Sequence, residues 1–149
     1  MIHISYIMNW IRSIIKPMDT TPLHHAVMYG PISEVVNLID NGADVNACDK
    51  SKHTPLHKVA FLLDDDEIYD KACILLNNKA DVNAQTITGT TLLHWAAVDL
   101  STEVIVLLLA NGADPTITDM WGYTPSDMAT LYGKIEIVEL FTDATQKHL

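Results

Sequence analysis

The sequence predicts an all-α solenoid, built from short helix-turn-helix units stacked side by side. Three observations carry this. Thr21, Thr54, Thr91 and Thr124 open four segments at steps of 33, 37 and 33 residues, and the register holds well beyond the threonines. Small residues recur at one offset (Ala26-Val27, Val59-Ala60, Ala96-Ala97) and bulky ones at another (Leu38-Ile39 and Leu108-Leu109, with Leu75-Leu76 in register once four residues are inserted). Each unit is too short to bury its own apolar face, so neighbours must stack.

Composition sets the outer limits. A chain of 149 residues, 48% hydrophobic and 19% charged, forms one compact domain or a short repeat array and can bury a core. Its net charge is −10 and its pI about 4.8, with Arg12 the single arginine. That leaves no basic footprint for phosphate backbones or anionic membranes, so neither nucleic acid nor membrane is expected as a partner. Cys48 and Cys73 make no disulfide framework and suit a reducing compartment. No apolar run reaches the roughly 18 to 20 residues of a membrane span.

Residues 1–18, MIHISYIMNWIRSIIKPM, come first. No charged leader precedes an apolar block and no small-residue cleavage site follows, which argues against a signal peptide. Ile4, Ile7 or Met8, Ile11, and Ile14 or Ile15 recur at helical spacing, so an amphipathic helix ending at Pro17 is expected to cover the open face of the first unit. It stands too close to Thr21 to leave room for another unit.

The units span about 19–51, 52–88, 89–121 and 122–149 within a domain of residues 19–149. In the first, Thr21 caps a helix, Pro22 takes its first position and Val35, Val36, Leu38 and Ile39 mark the outer helix. Gly42 then closes that helix in the left-handed conformation, as Gly112 does in the third unit. The second unit holds register once four residues are inserted at or beside Asp64–Glu67, and Lys79 replaces its closing glycine. If that backbone is left-handed, the side chain costs roughly 1 kcal/mol. Lys52 and Asp19 likewise replace the turn glycines seen at Gly89 and Gly122. The fourth unit keeps Pro125, Ala129 and Phe141 but lacks a Gly-Ala-Asp and ends as a C-terminal cap.

The motifs TPLHHA at 21–26 and TPLHKV at 54–59, with GADVNA at 42–47 and GAD at 112–114, resemble the ankyrin repeat. The likeness covers about residues 19–141. It implies an ankyrin-repeat solenoid, each unit a β-turn plus two helices, with hairpin fingers and a concave face that binds partners.

His24, His57 and His94 invite a zinc reading. Equivalent positions on stacked helices stand roughly 8–10 Å apart, whereas zinc ligands lie about 2.0–2.1 Å from one ion. The three do not share a metal. In the ankyrin family this histidine ties the helix start to the adjoining turn, and no metal or cofactor is expected. The acidic run Asp64, Asp65, Asp66, Glu67 and Asp70 lacks the alternation and glycine of a calcium loop. It fits a solvated loop leading into the second outer helix, or a partner-specific insertion. No serine elbow, phosphate-binding glycine loop or activated cysteine is present, so no enzymatic activity is expected.

The resemblance therefore implies a non-catalytic protein-binding module, an adaptor or competitive inhibitor, monomeric and cytoplasmic. Carried over by position, the binding residues are His25, Lys58, Trp95 and Met128, then Met28-Tyr29, Phe61-Leu62, Val98-Asp99 and Leu131-Tyr132, with Trp121 and Tyr123 at a finger tip. Asp49, Lys50, Lys52, His53, Ile87, Asp119 and Met120 share the tips. Trp and Tyr are frequent binding hot spots. Phe61 and Leu62 equally fit a fold-back under the insertion, and Trp121 equally fits packing on its own hairpin. Two further roles stay open. The chain could self-associate as a scaffold through its Ile-rich N-terminal helix. Isoleucine fills 15 of 149 positions, as an AT-rich genome would produce, so it could also be an exported effector acting on a protein in a host cytosol.

Overall fold

The computed structural model describes residues 20–147. The expected capping helix at 1–18 and Asp19 lie outside them. Four helix pairs follow in order: α1 (Pro22–Tyr29) with α2 (Ile32–Asp40), α3 (Pro55–Lys58) with α4 (Asp65–Asn77), α5 (Leu92–Asp99) with α6 (Thr102–Ala110), and α7 (Pro125–Leu131) with α8 (Ile135–Lys147). Inner helices pack on inner ones and outer on outer: α1 meets α3, α5 meets α7, α2 meets α4 and α4 meets α6. No strand occurs among the described residues.

Local chemistry explains where the inner helices start. The hydroxyls of Thr21, Thr54 and Thr124 accept from the backbone N–H three residues on, and that residue's side chain reaches back to the threonine's own N–H. Two donors that the helix leaves unpaired are thus satisfied reciprocally. Proline at the first helical position loses no hydrogen bond. The small residues behave as the stack requires. Ala26, Val27, Ala96, Ala97 and Ala129 are sealed, and Val35, Leu75, Val104, Ile105, Leu108 and Phe141 fill the layer beneath the outer helices.

The second unit absorbs its insertion in two ways. Helix α3 stops after one turn and runs into a 3₁₀ turn at Val59–Phe61. Asp64 Oδ1 then caps α4 by accepting from Glu67 N at 2.9 Å, and Asp65, Asp66 and Glu67 fill its first turn, where the helix dipole favours negative charge. The acidic run is therefore mostly helix rather than loop. Aligned on Leu75 and Leu108, Tyr69 stands level with Thr102. Residues 65–68 thus form an extra turn that α6 lacks, about 6 Å at 1.5 Å per residue.

Gly42 and Gly112 close their helices at φ 88° and 86°. Lys79 holds the same place at φ 68°, and Lys52 stands at φ 59° where the next finger has Gly89. Both lysines occupy backbone that glycine enters freely and a side chain does not.

Candidate functional site

Three ladders tie the units together and orient the concave side. Histidine makes the first. The imidazole Nδ1 accepts from the threonine N–H in three units: Thr21 to His24 at 3.2 Å, Thr54 to His57 at 3.1 Å, and Thr91 to His94 at 3.1 Å. The proton of a neutral ring then sits on Nε2. From there His24 donates to the His53 carbonyl at 2.8 Å and His94 to the Tyr123 carbonyl at 3.0 Å, each in the next unit's finger. His57 is the exception. Its buried Nε2 meets no hydrogen-bond partner, although the backbone of Thr90 and Ala84 lies near enough to favour its charged form slightly. Burial pushes all three below the ordinary imidazole value, His57 to about 4.

Asparagine makes the second ladder. Asn46 Nδ2 donates to the Lys79 carbonyl at 3.0 Å while its Oδ1 accepts from Asp81 N at 2.7 Å. Asn83 repeats this on Gly112 (3.0 Å) and Asp114 (2.8 Å). In the third unit the position is Thr116, whose hydroxyl turns back to Asp114. In the fourth, Asp127 replaces the histidine and is spent on the Thr124 cap, whose donors hold its carboxyl below the ordinary range. The asparagine ladder thus ends in the third unit and the histidine ladder in the fourth.

The fingers make the third. Each closes on itself: Asp49 N to His53 O, Thr86 N to Thr90 O and Asp119 N to Tyr123 O. Successive fingers then join through Ile87 N to Ser51 O at 2.9 Å and Met120 N to Thr88 O at 2.8 Å. Asp49 Oδ1 accepts from the N–H of Ser51 and of His53, and Asp119 Oδ1 from Trp121 and Tyr123. These two aspartates are braces of the turn. Their equal spacing before Thr54 and Thr124 was the signal for that role.

On this frame the side chains that differ between units face outward. Tyr29 (62% exposed), Phe61 (53%), Trp121 (65%), Leu131 (65%) and Tyr132 (60%) stand open on the inner helices and finger tips, with Tyr123 beside them. Met120 and Ile87 extend the apolar surface at the tips. His25 lies against Tyr29 with ring centroids 5.0 Å apart, and Asp99 is exposed. Met28 and Val98 are half-buried.

Several expected groove residues sit differently. Lys58 is buried rather than open: its ammonium donates to Asp49 Oδ2 at 2.8 Å, and its stem is packed away. Burial works against charge on Asp49, but the Lys58 hydrogen bond and the His53 backbone hold its carboxyl at about 2. Leu62 and Met128 are half-buried against the core. Trp95 is half-buried in a cage of rings, 5.4 Å from His57, 5.5 Å from His53 and 5.6 Å from Phe61. The cage makes Trp95 a floor for Phe61, not a free side chain. Phe61 itself does not fold away, and Trp121 does not bury on its hairpin.

The residue that sequence reasoning missed is Lys71. It is fully buried, and its ammonium donates to the carbonyls of Val27 at 2.7 Å and Gly30 at 2.9 Å and to Glu67 Oε1 at 2.6 Å. One cation thus satisfies carbonyls at the end of α1, where the helix dipole is negative, and straps the first unit to the second. A lone lysine on an outer helix gave no hint of this. Among the described residues no group of three or more His, Cys, Asp and Glu side chains is placed to hold a metal, and no helix is long and apolar enough to cross a membrane.

Comparison with known proteins agrees with this geometry. A family profile described as ankyrin repeats (3 copies) matches residues 5–86 and 60–148. The chain is 35% identical over 137 residues to the nuclear factor NF-kappa-B p105 subunit of Mus musculus, covering 78% of this chain and 14% of that protein. It is 30% identical over 128 residues to a putative ankyrin repeat protein of Rickettsia bellii, covering 85% of this chain and 50% of that one. It is also 30% identical over 139 residues to the human transient receptor potential cation channel subfamily A member 1, covering 91% of this chain and 12% of that protein. The chain thus spans half or less of the length of these relatives.

Proposed function

The chain belongs to the ankyrin repeat family, and from that premise we propose that it is a non-catalytic module that binds a protein partner on its concave face, as an adaptor or a competitive inhibitor. Ankyrin repeats generally mediate protein–protein interaction. The observation that carries the proposal is the separation of two residue sets. Positions shared between units (the threonines, His24, His94, Asn46, Asn83 and the small residues) are consumed by caps, ladders and core. Positions that differ (Tyr29, Phe61, Trp121, Leu131 and Tyr132) are large, apolar and open, and the stack is complete without them. Exposed large apolar side chains on the inner helices and finger tips favour a contact site, and the tyrosines and tryptophan among them match the residues that dominate binding energy.

Co-purification with mass spectrometry, comparing wild type with a Trp121→Ala/Tyr132→Ala variant, tests this. A partner retained by wild type and lost by the folded variant supports the reading; identical partner sets for the two would remove it. Trp95→Ala is a poorer probe, because Trp95 props Phe61 and its loss disturbs the inner-helix packing.

A further inference from the structure

We propose a second docking site, independent of the concave face, in the groove between the outer helices α4 and α6, and that its occupant is a cationic amphipathic helix of a protein partner. The groove encloses about 870 Å³ and is lined by Asp65, Asp66 and Tyr69 of α4 and by Ser101, Thr102, Glu103, Val106, Leu107 and Ala110 at and along α6. It follows from the insertion. The extra first turn of α4 carries the two aspartates that line one side of the groove, and α6 supplies the other side from one face, at 103, 106–107 and 110. Val106 is 48% exposed and Tyr69 40%, so each presents about half of its surface to solvent at the groove.

Charge selects the occupant. Three carboxylates line the groove, and no lysine, arginine or histidine does. Helices α2 and α6 contain no basic residue, and the single one on α4, Lys71, is buried and paired with Glu67. The groove's own lining is therefore negative; Lys134 and Lys147 of the fourth unit stand on the far side of α6, in hollows that Glu136 and Asp143 also line. A helix with lysines or arginines flanking leucine-sized side chains would seat the latter on Val106, Leu107 and Ala110 and meet Asp65, Asp66 and Glu103 at the rim. A second copy of the chain is repelled overall at net charge −10, while its residues 1–18 carry Arg12 and Lys16 and no carboxylate, so the peptide-free arm of the titration separates that occupant.

The test is a ¹⁵N–¹H amide titration of the full chain with a leucine/lysine amphipathic peptide of about 14 residues, roughly 21 Å when helical, beside its leucine/glutamate counterpart. The lysine peptide is expected to shift the amides of Asp66, Tyr69, Glu103, Val106 and Ala110, and the glutamate peptide to leave them in place. Asp65→Lys/Asp66→Lys and, on the other helix, Glu103→Lys are expected to weaken binding, the double variant by about tenfold. All three side chains are exposed, so their replacement leaves the packed core intact, and the melting temperature of each variant checks the loss of favourable charge in the first turns of α4 and α6. Shifts confined to Tyr29, Phe61 and Trp121, no shifts at all, equal response to the glutamate peptide, or an unchanged Kd in both variants would overturn the proposal. Concentration-dependent shifts of the same amides without peptide would also overturn it, assigning the groove to a second copy.

Discussion

His24 Nε2 donates to the carbonyl of His53 across 2.8 Å, so that the first inner helix holds the finger of the unit after it. His94 repeats the relationship with Tyr123, and His57 does not. Replacing His94 with alanine removes the inter-unit bond and the return contact to Thr91. It is expected to cost about 3 kcal/mol in urea unfolding. His57→Ala loses only the local contact and some packing, and is expected to cost about 1 kcal/mol less. Equal losses would mean that the inter-unit bond adds nothing.

Acid should loosen the stack. The folded state keeps these imidazoles neutral, because burial disfavours their charge and Nδ1 must accept from an N–H. The unfolded chain takes up protons below about 6.5, so stability is full above that value and falls as pH drops through it. For His57 the fall is complete near its folded value of about 4, and amounts to about 3 kcal/mol. His24 and His94 add to it in the same direction. Urea midpoints measured between about pH 7 and about pH 5 should fall steadily, and a flat profile would contradict the assignment of neutral rings.

Lys71 offers a separate test. Lys71→Met keeps the stem but leaves the carbonyls of Val27 and Gly30 without their shared donor, at an expected cost of about 3 kcal/mol by urea denaturation. Glu67→Gln should cost under about 1 kcal/mol, because Glu67 is 39% exposed and water replaces much of the pairing.

Two substitutions should stabilise the chain. Lys79→Gly and Lys52→Gly each relieve a side chain held at positive φ. Each is expected to raise the unfolding free energy by about 1 kcal/mol, partly offset by the greater freedom of the unfolded glycine chain. Thermal melts of the single variants decide the sign.

The stack was legible in the sequence because the units spend like residues on the same local tasks: a hydroxyl cap in all four, a proline in three, small residues on the inner helices and a closing glycine in two. Lys79 was readable as a misfit because Gly42 and Gly112 stood in register with it. The candidate face was legible only as a list of positions. Lys58 and Trp95 sit where a groove residue should, yet one is drawn in by Asp49 and the other is caged by His53, His57 and Phe61. Such pairings depend on neighbours from adjacent turns and units. Lys71 escaped for the same reason, since its carbonyl partners lie more than 40 positions earlier, at Val27 and Gly30.

The central claim is that the apolar residues differing between units, not the shared ones, carry binding. The most direct measurement is the Kd of the captured partner for wild type and for Tyr29→Ala/Trp121→Ala/Tyr132→Ala, with the melting temperature of each. The account predicts affinity weakened by at least about a hundredfold, as loss of two or three hot-spot side chains entails, with an unchanged melting temperature. An unchanged Kd in a fully folded triple variant would contradict it.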